Sequence, residues 1–583
     1  MPSYNWNSIV SLLNLVWIFV GFESTAIRIR ISKITGNDTL SCLVSNAGRP
    51  CRSVTFALFA TKDSRNRNET NFTFSLEDQF YDLEERVKII QTRPDKSIIL
   101  TSNHSSGSIF HCKNISAGFE IGSRHDLANK TRNISFVNLV FQNCGPRFAA
   151  AVIIWNSVEI NFMNCVFKDN KQAGINGFDS GVAIDSCLFM NNTSNRQNSS
   201  GKFQDGKTTA GGGAGFLFRK AVSLSVIIRS STFTINSAVT NKSTHFVAPS
   251  SNVSHFTSAG GGLLVVFLEK TDLCRVVIED TIFSNNSATY GGGVYFANTN
   301  MASRNSYSIR NSRFLKNIAG QTGGGLIFSQ WDNASNITTI FKNCTVSENQ
   351  SKRGAGMNVF IMNYDGTAND SVLRFHTVVF SNNFGDASTA IRFTTALPYG
   401  RTVDVTPEFI NCTIVDHKMS SFAHTSPFTS QRVNVKFKGR NVFTRNNGGG
   451  AAGFQDCVIN VHGQLVFTNN TGSNGGAVLL ESSQIILYPD SELMFSGNEA
   501  RGLGGAIFVK EYTMDEFIHE KNPDCFLAYS DPHEPPSKWK VRNGTRTEIN
   551  LVPRAFSMIS DGCTMGAYVP FTKEIRKFRL KVK

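Results

Sequence analysis

The stretch Phe283-Ser284-Asn285-Asn286-Ser287-Ala288-Thr289-Tyr290-Gly291-Gly292-Gly293-Val294-Tyr295-Phe296 decides the fold, because the chain keeps returning to it. It recurs as Phe314–Asn317 with Gly323-Gly324-Gly325-Leu326-Ile327-Phe328, and as Phe467–Asn470 with Gly475-Gly476-Ala477-Val478-Leu479. A further copy is Phe495–Asn498 with Gly504-Gly505-Ala506-Ile507-Phe508. Self-similarity at a fixed period marks a stack of like units, in which each unit buries its apolar face only against its neighbours. The turn phrase opens at Phe141, Phe167, Phe189, Phe233, Phe283, Phe314, Val346, Phe380, Ile414, Phe443, Phe467 and Phe495, mostly about 22 to 34 residues apart, the length of one solenoid coil.

The runs between these phrases are rich in Val, Ile, Phe and Tyr, alternate with polar residues and are bounded by Gly and Asn, which predicts strands and turns rather than helices. The predicted architecture is all-β, a parallel β-helix. In such a stack coils lie about 4.8 Å apart, so equivalent side chains form ladders. Phe283, Phe314, Phe467 and Phe495 are expected to fill the interior. Asn286, Asn317, Asn470 and Asn498 are expected to take a left-handed turn and to link their amides along the stack. The Gly triplets are expected where a Cβ would strike the next coil.

The divisions follow from where the repeat holds. Residues 1–26 resemble a signal peptide, with an apolar run over Ile9–Phe22 and small residues Ser24-Thr25-Ala26, although no Lys or Arg precedes the run. Residues 27–52 are assigned to an N-terminal cap, 53–510 to the repeats, and 511–583 to a C-terminal cap or irregular extension. Roughly twenty Asn-x-Ser/Thr triplets favour a secretory route, with Asn71, Asn133, Asn252, Asn336, Asn411 and Asn543 as glycosylation candidates. No later apolar run is long enough for a membrane span, so secretion to the extracellular space is the expected localisation.

Twelve cysteines suit an oxidising compartment. Cys165, Cys187, Cys344 and Cys412 precede the turn phrase by two residues, which points them inward as small buried hydrophobes. Cys42 and Cys51 are expected to form a disulfide, and Cys525 and Cys563 are candidates for a second at the other end. No cysteine or histidine spacing suits zinc, and neither a metal nor a cofactor is expected.

The chain of 583 residues carries a formal charge of +14, which suits nucleic acid or an anionic polysaccharide as partner. Its Lys and Arg are scattered apart from the tail Lys573–Lys583, so we read a solvated basic surface and expect no nucleic-acid partner. Gly201–Thr208 matches the phosphate-loop pattern and Gly448–Gly453 a dinucleotide pattern. Both lack the following helix that such chemistry requires.

The paired signatures Phe-x-x-Asn and Gly-Gly-Ala-Ile/Val/Leu resemble the repeat of the chlamydial polymorphic outer-membrane proteins over roughly Phe141 to Phe508. Gly475-Gly476-Ala477-Val478 and Gly504-Gly505-Ala506-Ile507 match the second signature outright, while Gly-Gly-Gly replaces it elsewhere. The resemblance implies a right-handed parallel β-helix passenger used in adhesion. The sequons place that repeat in a eukaryotic secreted setting.

Functionally, a non-catalytic role in extracellular adhesion, recognition or matrix structure is expected, with proteins or glycans as partners and no catalytic residues. The polar insertions Thr193–Thr209, Val239–Ser258 and Lys418–Gln431 are candidate binding loops. One alternative is a polysaccharide lyase or hydrolase, for which Glu84-Glu85, Asp169, Asp179 and Asp185 are the nearest acids, in what read as solvated turns. The other is an ectodomain of a larger membrane protein.

Overall fold

Short strands of alternating polarity cannot bury a core alone, and here they do so by stacking. The computed structural model describes residues 27–510, apart from 44–48, 64–70, 91–95, 113–117, 125–129, 145–149, 195–210, 239–257, 300, 332–333, 363–369, 396–404, 420–424, 490 and 502–504, together with 540–542 and 547–550. One coil comprises Leu263–Leu268, Arg275–Glu279, Ile282–Ser284 and Ser287–Tyr290. The first segment of each coil joins a fourteen-stranded sheet, the second and third a twenty-nine-stranded sheet, and the fourth a nine-stranded sheet. Each strand pairs in parallel with its equivalent in the next coil, as Phe283 does with Phe314 and Val294 with Leu326. The fold is a parallel β-helix, and fourteen strands at about 4.8 Å make a rod about 60 Å long.

The interior is a set of ring ladders. Phe141, Phe167, Phe189, Phe233, Phe283 and Phe314 stack in turn with ring centroids 4.4 to 5.3 Å apart. A second ladder runs Phe341, Phe375, Phe409 at 5.3 and 4.7 Å. The cysteines of the turn phrase lie in the same interior: Cys165, Cys187, Cys344 and Cys412 are free and buried, and so are Cys274 and Cys457. Burial pushes the Cys344 and Cys412 thiols up to about 11, so they are protonated, inert packing groups.

The asparagines form the second element of the stack. Asn286, Asn317, Asn349 and Asn383 are fully buried. Each side-chain amide donates to the carbonyl of a Phe or Val of the preceding coil, and all but the last also donate to the next asparagine's Oδ1. The expected left-handed turn sits elsewhere. It falls one residue earlier, at Asn285, Lys316, Glu348 and Asn382, with φ of 51 to 55°. The buried asparagine is thus chosen for its amide, which must reach both neighbours, while the strained position tolerates several residue types. In the Gly triplet, Gly291 has φ of +63°, and a Cβ on Gly292 would lie 2.5 Å from the Gly324 carbonyl oxygen. One glycine serves the bend and its neighbour the close approach.

His417 interrupts the asparagine ladder between Asn383 and Asn446. Its backbone N–H still donates to Asn446 Oδ1 at 3.3 Å, but neither ring nitrogen finds a hydrogen-bond partner of good geometry among the described residues. Burial pushes its pKa down to about 4, against the smaller opposing effects of the Phe380 and Asn383 backbone and of Asp416. Protonation therefore favours the unfolded chain. The contribution of this neutral imidazole is complete above an ordinary value near 6.5 and is lost as pH falls toward 4, about 3 kcal/mol in all. His417→Asn is expected to flatten the fall in stability over that range and to restore the ladder. Chemical denaturation of both proteins at pH 7.5 and 4.5 measures this. An unchanged difference between the two pH values would show that His417 does not set the acid sensitivity.

At the start of the rod the assigned boundary shifts. Ile27–Ile31, placed by sequence in the cap, already pairs in parallel with Asn71–Leu76 as the first rung. Its open edge is covered by Cys51, bonded to Arg30 and Ser32, and Cys51 is disulfide-linked to Cys42. An α-helix, Val54–Asp63, follows inside the segment assigned to repeats. Ser53 Oγ accepts the Phe56 N–H as its N-cap, and Val54, Ala57 and Leu58 are buried. The strand reading missed this helix, though the cap and the i, i+3, i+4 spacing were visible. A second disulfide, Cys112–Cys144, joins adjacent coils and was not anticipated. At the far end Thr547–Asn550 pairs antiparallel with Gln484–Leu487 and with Lys540–Arg542. Cys525 and Cys563 lie outside the described residues.

Candidate functional site

The alternation that sends Phe and Ile inward turns every second residue of the second coil segment outward. Those outward residues form one long face. It is regular except near its start, where Ser157–Met163 pairs with Thr131–Val137 and the register steps over Glu159 and Asn133. Both have left-handed backbones, φ of 59 and 55°, and mark stacked β-bulges that bend the face. In the next coil the bulge is gone and Gly181 carries no side chain. The result is a groove of about 460 Å³ lined by Lys130, Arg132, Glu159, Asn161, Gly181 and Ile227, among others. Asn161 Nδ2 donates to Ser135 Oγ of the preceding coil at 3.3 Å. Two cations, a carboxylate and an amide over a part-apolar floor suit a small polar group such as a sugar ring.

The acids weighed for catalysis are placed differently. Glu84 and Glu85 are exposed. Asp169 is bonded by Gln142 and Asn191 at 3.3 and 2.8 Å, and exposed Asp185 accepts the Ser186 hydroxyl at 2.9 Å. Asp179 is not a solvated turn. Burial pushes its pKa up to about 6, against the opposing Arg219 amide and charge and the Lys130 charge. Its carboxylate accepts the Arg219 backbone N–H, which fixes it in the turn between sheets. Other acids on the rod's surface are held by cations: Asp272 by Arg304, Glu279 by Arg229, Asp416 by Arg445 and Glu408 by Arg374 and Lys438.

The sequence candidates are scattered by the fold. Asn71 and Asn133 are partly exposed, while Asn336 and Asn411 are exposed at left-handed turns. Asn252 and Asn543 lie outside the described residues, as do the phosphate-loop match at 201–208 and most of the first two insertions. The third insertion, Lys418–Gln431, begins and ends in strands, and its residues 420–424 lie outside the described residues. Lys418–Met419 belongs to the nine-stranded sheet, and Phe428–Gln431 is a rung paired with Ile391 and Ala452. Its Ser and Thr residues disguised a strand whose inward residues are Phe428 and Ser430, both fully buried. Gly448–Gly453 runs directly into the strand Ala452–Gln455. Among the described residues no helix is long and apolar enough to cross a membrane, and no three His, Cys, Asp or Glu residues are grouped to hold a metal ion.

Two short stretches, residues 280–297 and 492–510, match the Chlamydia polymorphic membrane protein repeat. They contain the Phe283 and Phe495 phrases, so the resemblance read from the sequence is found in those two coils. No match was found among curated proteins. Among solved structures, the crystal structure of PfbA, a surface adhesin of Streptococcus pneumoniae, aligns over 88% of this chain and 95% of its own, with 12% identity and a TM-score of 0.33. Likeness at that level speaks to neither ligand nor activity.

Proposed function

We propose that this protein is a secreted or cell-surface glycoprotein that acts without catalysis, its rod presenting the outward face to an extracellular protein or glycan. The observation that carries this reading is the division of labour between residues. Phenylalanines, asparagines and glycines are consumed by stacking, while the bulges at Asn133 and Glu159 break the regular face and open a groove. The disulfides Cys42–Cys51 and Cys112–Cys144 support an oxidising, extracellular compartment. The sequons on exposed turns support glycosylation.

Expression in a secreting eukaryotic cell should deliver the protein to the medium with a mass above 64.1 kDa that falls after deglycosylation. In a cell- or matrix-adhesion assay, Arg132→Glu with Asn161→Ala should weaken binding about tenfold or more at unchanged thermal stability, since the pair reverses a charge and removes an amide in the groove. Full adhesion by that variant would move the site elsewhere. The carbohydrate-active alternative draws on Asp179, a carboxyl pushed up to about 6 beside Lys130. Release of reducing sugar ends from a polysaccharide, abolished by Asp179→Asn, would overturn the non-catalytic reading.

A further inference from the structure

Downstream of the groove, the same outward face carries basic residues in rows along the rod. Arg310 pairs in register with Lys342 and Lys342 with His376; after Ile410 the row continues to Lys438 and His462. One row over, Arg374, Glu408 and Lys436 follow one another. Five permanent cations therefore face one carboxylate over consecutive coils. Glu408 is bonded to Arg374 Nε and Lys438 Nζ, each at 2.8 Å, and so splints the two rows rather than neutralising them. Upstream, the row ends at Glu279, which is taken by Arg229 at 3.1 Å.

Arg310 and Lys342 stack directly, about 4.8 Å apart along the sheet, and Glu279, the in-register neighbour of Arg310 on its other side, is engaged by Arg229. Like charges directly opposite each other destabilise a sheet, so this arrangement costs the fold something that a bound anion would return. At the downstream end the His462 ring stacks on Tyr488 with centroids 3.7 Å apart, and both are half-buried, which leaves an aromatic surface beside the cations.

We propose that this face, from Arg310 to Tyr488, binds a linear polyanionic polysaccharide lying along the rod. Charge complementarity favours it: the cations recur over successive coils in two adjacent rows, interrupted at Ile410 and Glu408, as anionic groups recur along such a chain, and the aromatic pair offers a flat face to a sugar ring. The inference rests on the non-catalytic binding reading above and adds, on the same outward face, a second stretch with its own ligand class.

The test uses the full secreted chain on surfaces bearing heparin (sulfated), polygalacturonate (carboxylated) or neutral dextran, with duplex DNA and phosphatidylserine vesicles as competing anions. Retention on at least one acidic polysaccharide at about 0.15 M salt, and release at about 1 M, are expected. The triple variant Arg310→Gln/Lys342→Gln/Lys436→Gln, which leaves Glu408 its two close partners, should bind about tenfold or more weakly at unchanged thermal stability. A control of equal charge loss, Lys168→Gln/Lys220→Gln/Lys270→Gln, should bind as the parent does. Equal loss in both variants would reduce the effect to net charge and overturn the proposal. Tighter binding to DNA or vesicles than to either polysaccharide would also overturn it. A protein that adheres to matrix but holds neither polysaccharide overturns this inference alone, whereas one that does neither removes the reading beneath it too.

Discussion

Asn317→Leu is expected to destabilise the rod by about 5 kcal/mol or more, a larger loss than truncating a core aromatic. Asn317 Oδ1 accepts both the backbone N–H and the side-chain amide of Asn286, each at 3.0 Å. Its own amide donates to the Phe283 carbonyl at 2.9 Å and to Asn349 Oδ1 at 3.0 Å. Leucine has similar volume but none of these groups. It would strand two donors of Asn286 and the Phe283 carbonyl in the preceding coil, and remove a donor from Asn349 Oδ1 in the next, all in a site with no access to water. Each buried group left unpaired costs about 1–3 kcal/mol. The side chain also lies beneath Gly293, whose added Cβ would approach the Asn317 amide to 3.1 Å, so a branched Leu has no room to move away. Because coils contact only their neighbours, the loss should be local: hydrogen exchange should quicken in the coils of Asn286 and Asn349 before the ends of the rod. A shift below about 1 kcal/mol would show that the amide ladder is not a principal support of the stack.

Phe314→Ala is expected to cost about 3–5 kcal/mol, the range for a buried aromatic truncated to Ala. The ring is fully buried and lies 5.3 Å from Phe283 at an interplanar angle of 4°, while the next coil supplies only Val346. Val346 is too small to fill the gap, so a cavity would remain. Phe384→Ala provides the contrast, since that side chain is 44% exposed and should change stability little. Equal effects from the two would show that the ladder does not carry the core.

These two residues could be named from the sequence because a stack repeats its chemistry at every coil. Phe-x-x-Asn had to be a shared position, and a position shared between stacked coils has to be either interior or turn. The finer assignment failed where the sequence pattern is compatible with two geometries. The left-handed turn was given to Asn286 and Asn317, although Asn285 and Lys316 adopt it. A side-chain amide and a tolerated backbone angle are both reasons for asparagine, and only the folded backbone separates them. Cys112 and Cys144 lie 32 residues apart and join because one coil sits on the next, a proximity that neither local context records. The helix Val54–Asp63 is a short departure in a strand-rich chain, and the polar rung Phe428–Gln431 looked like a loop because its outward face is Thr and Gln.

The candidate site was less legible still. Glu159 and Asn133 form bulges because an extra residue entered each of two stacked strands, and neither residue type announces it. Asp179 looked solvated because turn acids usually are, but the turn between sheets is covered here. The sequence by itself determined the coil, its interior and its turns, since these depend on periodic residue types that each neighbour must match. The tertiary structure alone decided which residues share an outward row. Arg310, Lys342 and Lys438 are dispersed along the chain and look like general surface charge. Winding at one coil per repeat brings them into line, successive ones about 5–15 Å apart, and their summed field belongs to the stack rather than to any segment of it.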